Sequence, residues 1–181
     1  MDTIQLHPRS ARVTPAALKQ FMNGYFTGVT IVTSVDGAGR PHGLTCNSLV
    51  SVTLDPPTLL VCLDRGSGTL TAVRERGAFA VNLLSEQARA AAEVFASPDP
   101  DRFAAVAWQP SPHGKLPQLT DDAFAFAECM VTDLHAVGDH VVVFGRVLDV
   151  AGEPRNPLLY GMRTFTGPPV PSAAGSLPTP R

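Results

Sequence analysis

The sequence predicts a mainly β protein with flanking helices, its strands arranged as an antiparallel barrel. Two observations carry this. Strand-like runs follow one another along the chain with only short helical segments between them, which favours antiparallel neighbours over a doubly wound sheet. The glycines form neither GxGxxG nor GxxxxGK[ST], so the phosphate-binding turns of the Rossmann and P-loop folds are not indicated. With 181 residues, 44% hydrophobic and 17% charged, the chain suits one ordinary core.

Taken in order, "TPAALKQFMNG" predicts a helix with Thr14 as N-cap, Pro15 at the first position and Gly24 as the stop. Leu18, Phe21 and Met22 share one of its faces, which is expected to lie on a sheet. "YFTGVTIVTSV" and "PHGLTCNSLVSVTL" read as strands joined by the turn-forming "DGAGR". "DPP" then removes ladder donors, and "TLLVCL" reads as a fully buried strand. A helix over 69–76 turns Leu70 and Val73 inward and stops at Gly77. "AFAVNLL" is a further strand, and "SEQARAAAEVFAS" a helix capped by Ser85. Residues 98–122 read as a long loop with one helical turn near Arg102 and Phe103. "AFAFAECMVTDLHAV" and "HVVVFGRVLDVAG" are two strands turning at Gly138 and Asp139, rich enough in Val and Phe to imply burial on both faces.

This divides the chain into an N-terminal arm (1–13), one domain (14–165) and a tail (166–181) too rich in Pro, Gly and Ser to pack. The arm has no apolar core of signal-peptide length, and no apolar stretch approaches the roughly 18 residues of a membrane span. A soluble, cytoplasmic protein without a membrane partner is expected. The net charge of −2 and the lack of any Lys/Arg run argue against nucleic acid. Cys46, Cys62 and Cys129 show no CxxC or Cys/His spacing, which fits free intracellular thiols and no metal.

The most informative stretch is "GLTCNSLVSVTLDPP". At a period of two it separates an apolar face from a polar one, as in a half-buried strand. Yet Asn47 sits near its centre, and Asn is disfavoured in strands because its amide competes for backbone groups. A ligand that needs a donor and an acceptor is one explanation; a solvated polar face is the other.

Together "FMNGYFTGVTIVTS", "PHGLTCNSLVSVTLDPPTLLVCLDRGSGTL", "GAFAVNLLSEQ", "DRFA", "GDH" and "PLLY" resemble the flavin reductase family, the short reductase components of two-component flavin-dependent monooxygenases. The resemblance runs from about Phe21 to Tyr160. It implies an FMN-binding split β-barrel, a homodimer, and an enzyme that uses NADH or NADPH to reduce FAD or FMN and releases it to a monooxygenase partner. In its terms Thr45, Cys46, Asn47 and Ser48 line the isoalloxazine, with Thr30, Cys62 and Leu63 among the flavin contacts. Family members more often have Ala in place of Cys46.

Ser67 and Thr69 open a helix, whose unpaired N–H groups favour a phosphate, with Arg65 adding charge. Relatives often carry a bulkier polar or basic residue in place of Gly68. The resemblance brings Asp64, Phe79 and Asn82 to the same pocket, with Arg102 and Phe103 approaching from the long loop. His140 of "GDH" matches the catalytic position beside the nicotinamide, and Asp139 orients its ring or only makes the turn. Tyr160 stacks on the nicotinamide or adenine, or packs in the core. No basic pair for a 2′-phosphate is evident, which leans towards NADH. A flavin-binding electron-transfer protein with tightly held FMN and a flavin carrier are the alternatives.

Overall fold

The computed structural model describes residues 13–169, so the expectations for the arm and for most of the Pro-rich tail lie outside the described residues. The chain runs through α1 (Pro15–Asn23), β1 (Thr27–Gly28), β2 (Thr30–Val35), β3 (Pro41–Cys46), β4 (Val50–Leu54), β5 (Pro57–Asp64), α2 (Gly68–Arg76) and β6 (Ala78–Leu84). It continues with α3 (Arg89–Ala96), a 3-10 turn (Arg102–Ala105), β7 (Trp108–Pro110), β8 (Pro117–Leu119), β9 (Ala123–Val137), β10 (His140–Gly152), β11 (Leu159–Gly161) and β12 (Thr164–Thr166). Seven strands form one sheet in the order β3-β2-β6-β9-β10-β5-β4. Every neighbouring pair in it is antiparallel.

The sheet curls until β3 meets β5, but no ladder joins them. Ser48 bridges the gap instead: its hydroxyl accepts from the Cys62 amide at 2.8 Å and donates to the Cys62 carbonyl at 3.2 Å. The barrel is split here, and one side chain makes the hydrogen bonds across the seam. Its interior is an apolar cluster with Val32, Val61, Leu63, Leu70, Val73, Phe79, Cys129 and Val143 at its centre. A second core on the outer face of β2 joins Ile31 to Leu84, Phe95 of α3 and Leu158. Because alternate residues of β2 enter different cores, both its faces are buried.

Several expectations are corrected. The run 41–54 is not one strand. It breaks at Asn47–Leu49, and β4 then pairs with β5 through a turn at Asp55–Pro56, so the prolines make a hairpin rather than end a ladder. β5 is only half buried: Val61 and Leu63 point inward while Leu60 and Cys62 face a groove. Ser85 caps no helix, since α3 starts after Ala88 and Ser85 bridges to Pro157. The long loop contains the β7–β8 ribbon. α1 forms as expected, with the Thr14 hydroxyl accepting from the Ala17 amide, but none of its residues is buried. β9 is buried on both faces only around Phe126–Cys129; beyond that, β9 and β10 lie on the core by one face, leaving Leu134, Val137, Leu148 and Val150 exposed.

Asn82 on β6 pins the β7–β8 ribbon. Its amide nitrogen donates to the Ile31 carbonyl at 3.1 Å, and its oxygen accepts from the Leu119 amide at 2.9 Å. It is fully buried. Asn82→Ala is expected to lower unfolding stability by about 2–3 kcal/mol, because buried backbone groups lose their partner. Urea denaturation checks this; an unchanged midpoint would mean the ribbon is held elsewhere.

Candidate active site

The break at Asn47–Leu49 opens a cleft of about 540 Å³ over the split seam. Thr45, Cys46, Asn47 and Ser48 form one wall, and Cys62, Asp64 and His140 the other. The first wall is fixed from behind. Thr45 donates to the Ala92 carbonyl of α3 at 2.6 Å, and the Cys46 sulfur lies 3.0 Å from the Ser48 hydroxyl. Burial pushes the Cys46 thiol above its ordinary pKa. The Asn47 side chain is left exposed to the cleft.

A neighbouring hollow of about 450 Å³ shares Gly66, Ser67 and Arg102 with the cleft, and adds Thr69 and Phe103. Ser67 caps α2: its hydroxyl accepts from the Leu70 amide at 3.1 Å and donates to the Asp64 carbonyl at 2.8 Å. The Asp64 carboxylate accepts from the Gly66 amide at 2.7 Å. The first-turn amides of Gly68 and Thr69 are left without intrahelical acceptors, as at any helix start. Arg102 donates to the carbonyls of Gly43 and Ser97, while its Nε is buried without a partner. Phe103 holds the Arg102 turn in place by packing edge-on against Phe95 at 5.0 Å. Gly43 makes room for this pair: a Cβ there would sit 2.8 Å from the Phe95 ring.

His140 begins β10 directly opposite Asp64 of β5. Its Nδ1 lies 2.8 Å from the Asp139 carboxylate, and that bond holds Asp139 below the usual carboxylate range. The Arg65 amide donates to the Asp139 carbonyl at 2.9 Å, joining the phosphate-side turn to the His140 turn. The Arg65 guanidinium donates to the Gly138 carbonyl at 3.3 Å.

A third hollow, of about 580 Å³, shares Asn47, Ser48 and Cys62 with the cleft and extends past Tyr160. The three make one continuous trench. Its donor set fits a flavin: small side chains for a flat ring, an exposed amide for a polar edge, and the first-turn amides of α2 beside the Arg102 charge for a phosphate.

A family model described as the flavin reductase like domain matches residues 22–168. The chain belongs to this family. The flavin reductase (NADPH) of Lentzea aerocolonigenes is 53% identical over 163 residues, covering 90% of this chain and 95% of that protein. The flavin reductase (NADH) of Kitasatospora aureofaciens is 45% identical over 148 residues, covering 80% and 76%. Among solved structures, the NADH:FAD oxidoreductase SgcE6 of Streptomyces globisporus C-1027, in complex with NAD and FAD fragments, matches with a TM-score of 0.82 at 30% identity. It covers 91% of this chain and 100% of that one.

In this flavin reductase-like chain four expected site residues stand apart from the trench. Leu63 and Phe79 point into the barrel core. Asn82 is spent on the β7–β8 ribbon. The Thr30 hydroxyl donates to the Cys46 carbonyl at 2.9 Å and is buried. Thr30, Leu63 and Phe79 lie on the barrel-facing side of their strands, and Asn82 lies on the opposite, outer side of β6. Sequence reasoning also missed Phe95 and Ala96 at the end of α3, His42 beside Gly68, and Lys19 and Arg163 at the far end. These come from separate elements, with no local pattern to mark them.

At pH 8 iodoacetamide is expected to alkylate Cys62, which is half-buried on the trench wall, before Cys46 and Cys129. The last two are buried, and burial beside Glu128 pushes the Cys129 thiol up to about 12. Peptide mass spectrometry reads the order; labelling of Cys46 as fast as Cys62 would show that the 45–48 wall opens.

Proposed function

We propose that the protein is an NAD(P)H:flavin oxidoreductase that takes FAD or FMN as a diffusible substrate and supplies the reduced flavin to a flavin-dependent monooxygenase. The observation that carries this is the convergence, in one trench, of the Thr45–Ser48 wall, the start of α2 beside Arg102, and His140. Relatives named as flavin reductases, and one named as the reductase subunit of a flavin-dependent monooxygenase, support it.

The chemistry is hydride transfer from nicotinamide C4 to flavin N5, which needs the rings face to face at about 3–3.5 Å. Asn47 holds the polar edge of the flavin, and Thr45, Cys46 and Ser48 leave room for the ring. The Gly68 and Thr69 amides with Arg102 hold its phosphate. His140 positions the nicotinamide and moves a proton at Nε2, since Nδ1 is held by Asp139. The Thr30, Leu63 and Phe79 side chains support the walls from within the barrel, and Asn82 braces the sheet from its outer face.

The functional unit is a homodimer acting in the cytoplasm. Leu18 and Phe21 on α1, Val52 and Leu54 on β4, and Val137 and Val150 on the long hairpin are exposed in one protomer. A second copy covers these apolar side chains, which a monomer seldom leaves open in such number. Light scattering is expected to give twice the chain mass of 19.1 kDa; a monomer at micromolar concentration would sink the dimer.

Flavin-stripped protein is expected to oxidise NADH or NADPH anaerobically through many turnovers with FAD or FMN in excess. Turnover limited to one flavin per protein would favour the tightly held electron-transfer cofactor. His140→Ala is expected to slow reduction at least tenfold while leaving flavin affinity nearly intact, and equal loss of both would make His140 structural. Asn47→Ala is expected to weaken flavin binding by about 1–3 kcal/mol, measured by fluorescence titration.

A further inference from the structure

The far end of the trench is lined by two cations from opposite ends of the described chain, Lys19 of α1 and Arg163 of the β11–β12 turn. None of the residues lining that hollow is acidic. Among the described residues neither cation is in an ion pair. Two unpaired positive charges on one cavity rim favour an anion.

The turn that presents Arg163 is strained. Gly161 pairs with Thr164, so Met162 and Arg163 are the two loop residues of a hairpin, with φ of 50° and 61°. Tight hairpins usually place Asn-Gly or Gly-Gly there, because bulky side chains adopt this region seldom and at a cost. Such strain persists where the surroundings over-determine it, and it gathers at ligand clamps. Here the Met162 amide donates to the Asn23 carbonyl at 2.7 Å, lashing the turn to the end of α1. That bond sets Arg163 on the same rim as Lys19.

Two further groups complete the wall. Thr27 lines this hollow, its hydroxyl oxygen turned away from the surface and buried. Tyr160, braced by Phe165 at 5.1 Å between ring centroids, offers an aromatic surface. A phosphate on the two cations and a flat base on the Tyr160 ring match these groups. The flavin phosphate is held at the other end, beside α2 and Arg102, with His140 and Asn47 between.

We propose that Lys19 and Arg163 recognise the 2′-phosphate of NADPH, with the adenine lying against Tyr160, so that the enzyme prefers NADPH to NADH. This rests on the reductase reading above and replaces the lean towards NADH. The sequence could not display the pair because only the fold brings α1 to the β11–β12 turn.

The test compares the wild type with Lys19→Gln, Arg163→Asn and the double variant, Asn being chosen because it tolerates positive φ. The wild type is expected to favour NADPH by about tenfold in kcat/KM, as two screened surface cations allow. The double variant is expected to raise KM for NADPH about tenfold, leaving kcat, the KM for NADH and the KM for flavin unchanged. Calorimetry with adenosine 2′,5′-bisphosphate against adenosine 5′-monophosphate reads the same site without turnover. The bisphosphate is expected to bind about tenfold tighter to wild type and no tighter to the double variant.

Turnover with equal preference and no bisphosphate discrimination would overturn the inference while leaving the reductase standing. Discrimination without oxidation of either nucleotide would keep the site and sink the reductase reading. Weakened flavin binding in the variants would assign the cations to the flavin instead, also overturning the inference.

Discussion

The fold turns on the Ser48 hydroxyl. A barrel that closed by a full ladder between β3 and β5 would seal the surface where the trench now runs. One side chain that both receives the Cys62 amide and donates to its carbonyl satisfies the seam-facing peptide without a neighbouring strand. The backbone after Cys46 is thereby free to leave the sheet, and the cleft opens where it leaves. Stability and access are reconciled at one peptide group.

From that seam the working groups are distributed by hydrogen bonds between turns rather than by strand ladders alone. The Asp64 turn caps α2 through Ser67 and is bonded through the Arg65 amide to the turn carrying Asp139. His140 and the start of α2 therefore belong to one rigid unit. On the other side, Thr45 is tied to α3, and α3 carries the Phe95 ring against which the Arg102 turn is packed. Substrates meet two braced walls on either side of a gap.

Much of this was legible in the sequence, and the reasons are local. Thr14 and Pro15, Ser67 and Gly77, and the Gly138–Asp139 turn are chemical signals that act within a few residues, and the elements they mark form where expected. The run "TCNS" announced its oddity because Asn47 fits a strand poorly, and the chain leaves the sheet at that residue. What stayed hidden depends on partners far along the chain. Nothing in "AFAVNLL" says that Asn82 serves a ribbon near residue 118 rather than a ligand. The exposed faces of α1 and β9 carry the same apolar pattern as a buried face, because periodicity records which side is apolar and not what covers it.

Gly68 shows how a missing side chain can be moved rather than lost. A Cβ at this position would lie 3.2 Å from Nδ1 of His42, whose other ring nitrogen is held 3.2 Å from the Asp36 carboxylate. The imidazole thus occupies space that a larger residue at 68 would claim. Positions 42 and 68 are coupled by volume: bulk at one requires its absence at the other. The two sites share a single berth at the mouth of α2, and a larger residue at 68 takes its place only as the His42 ring gives way.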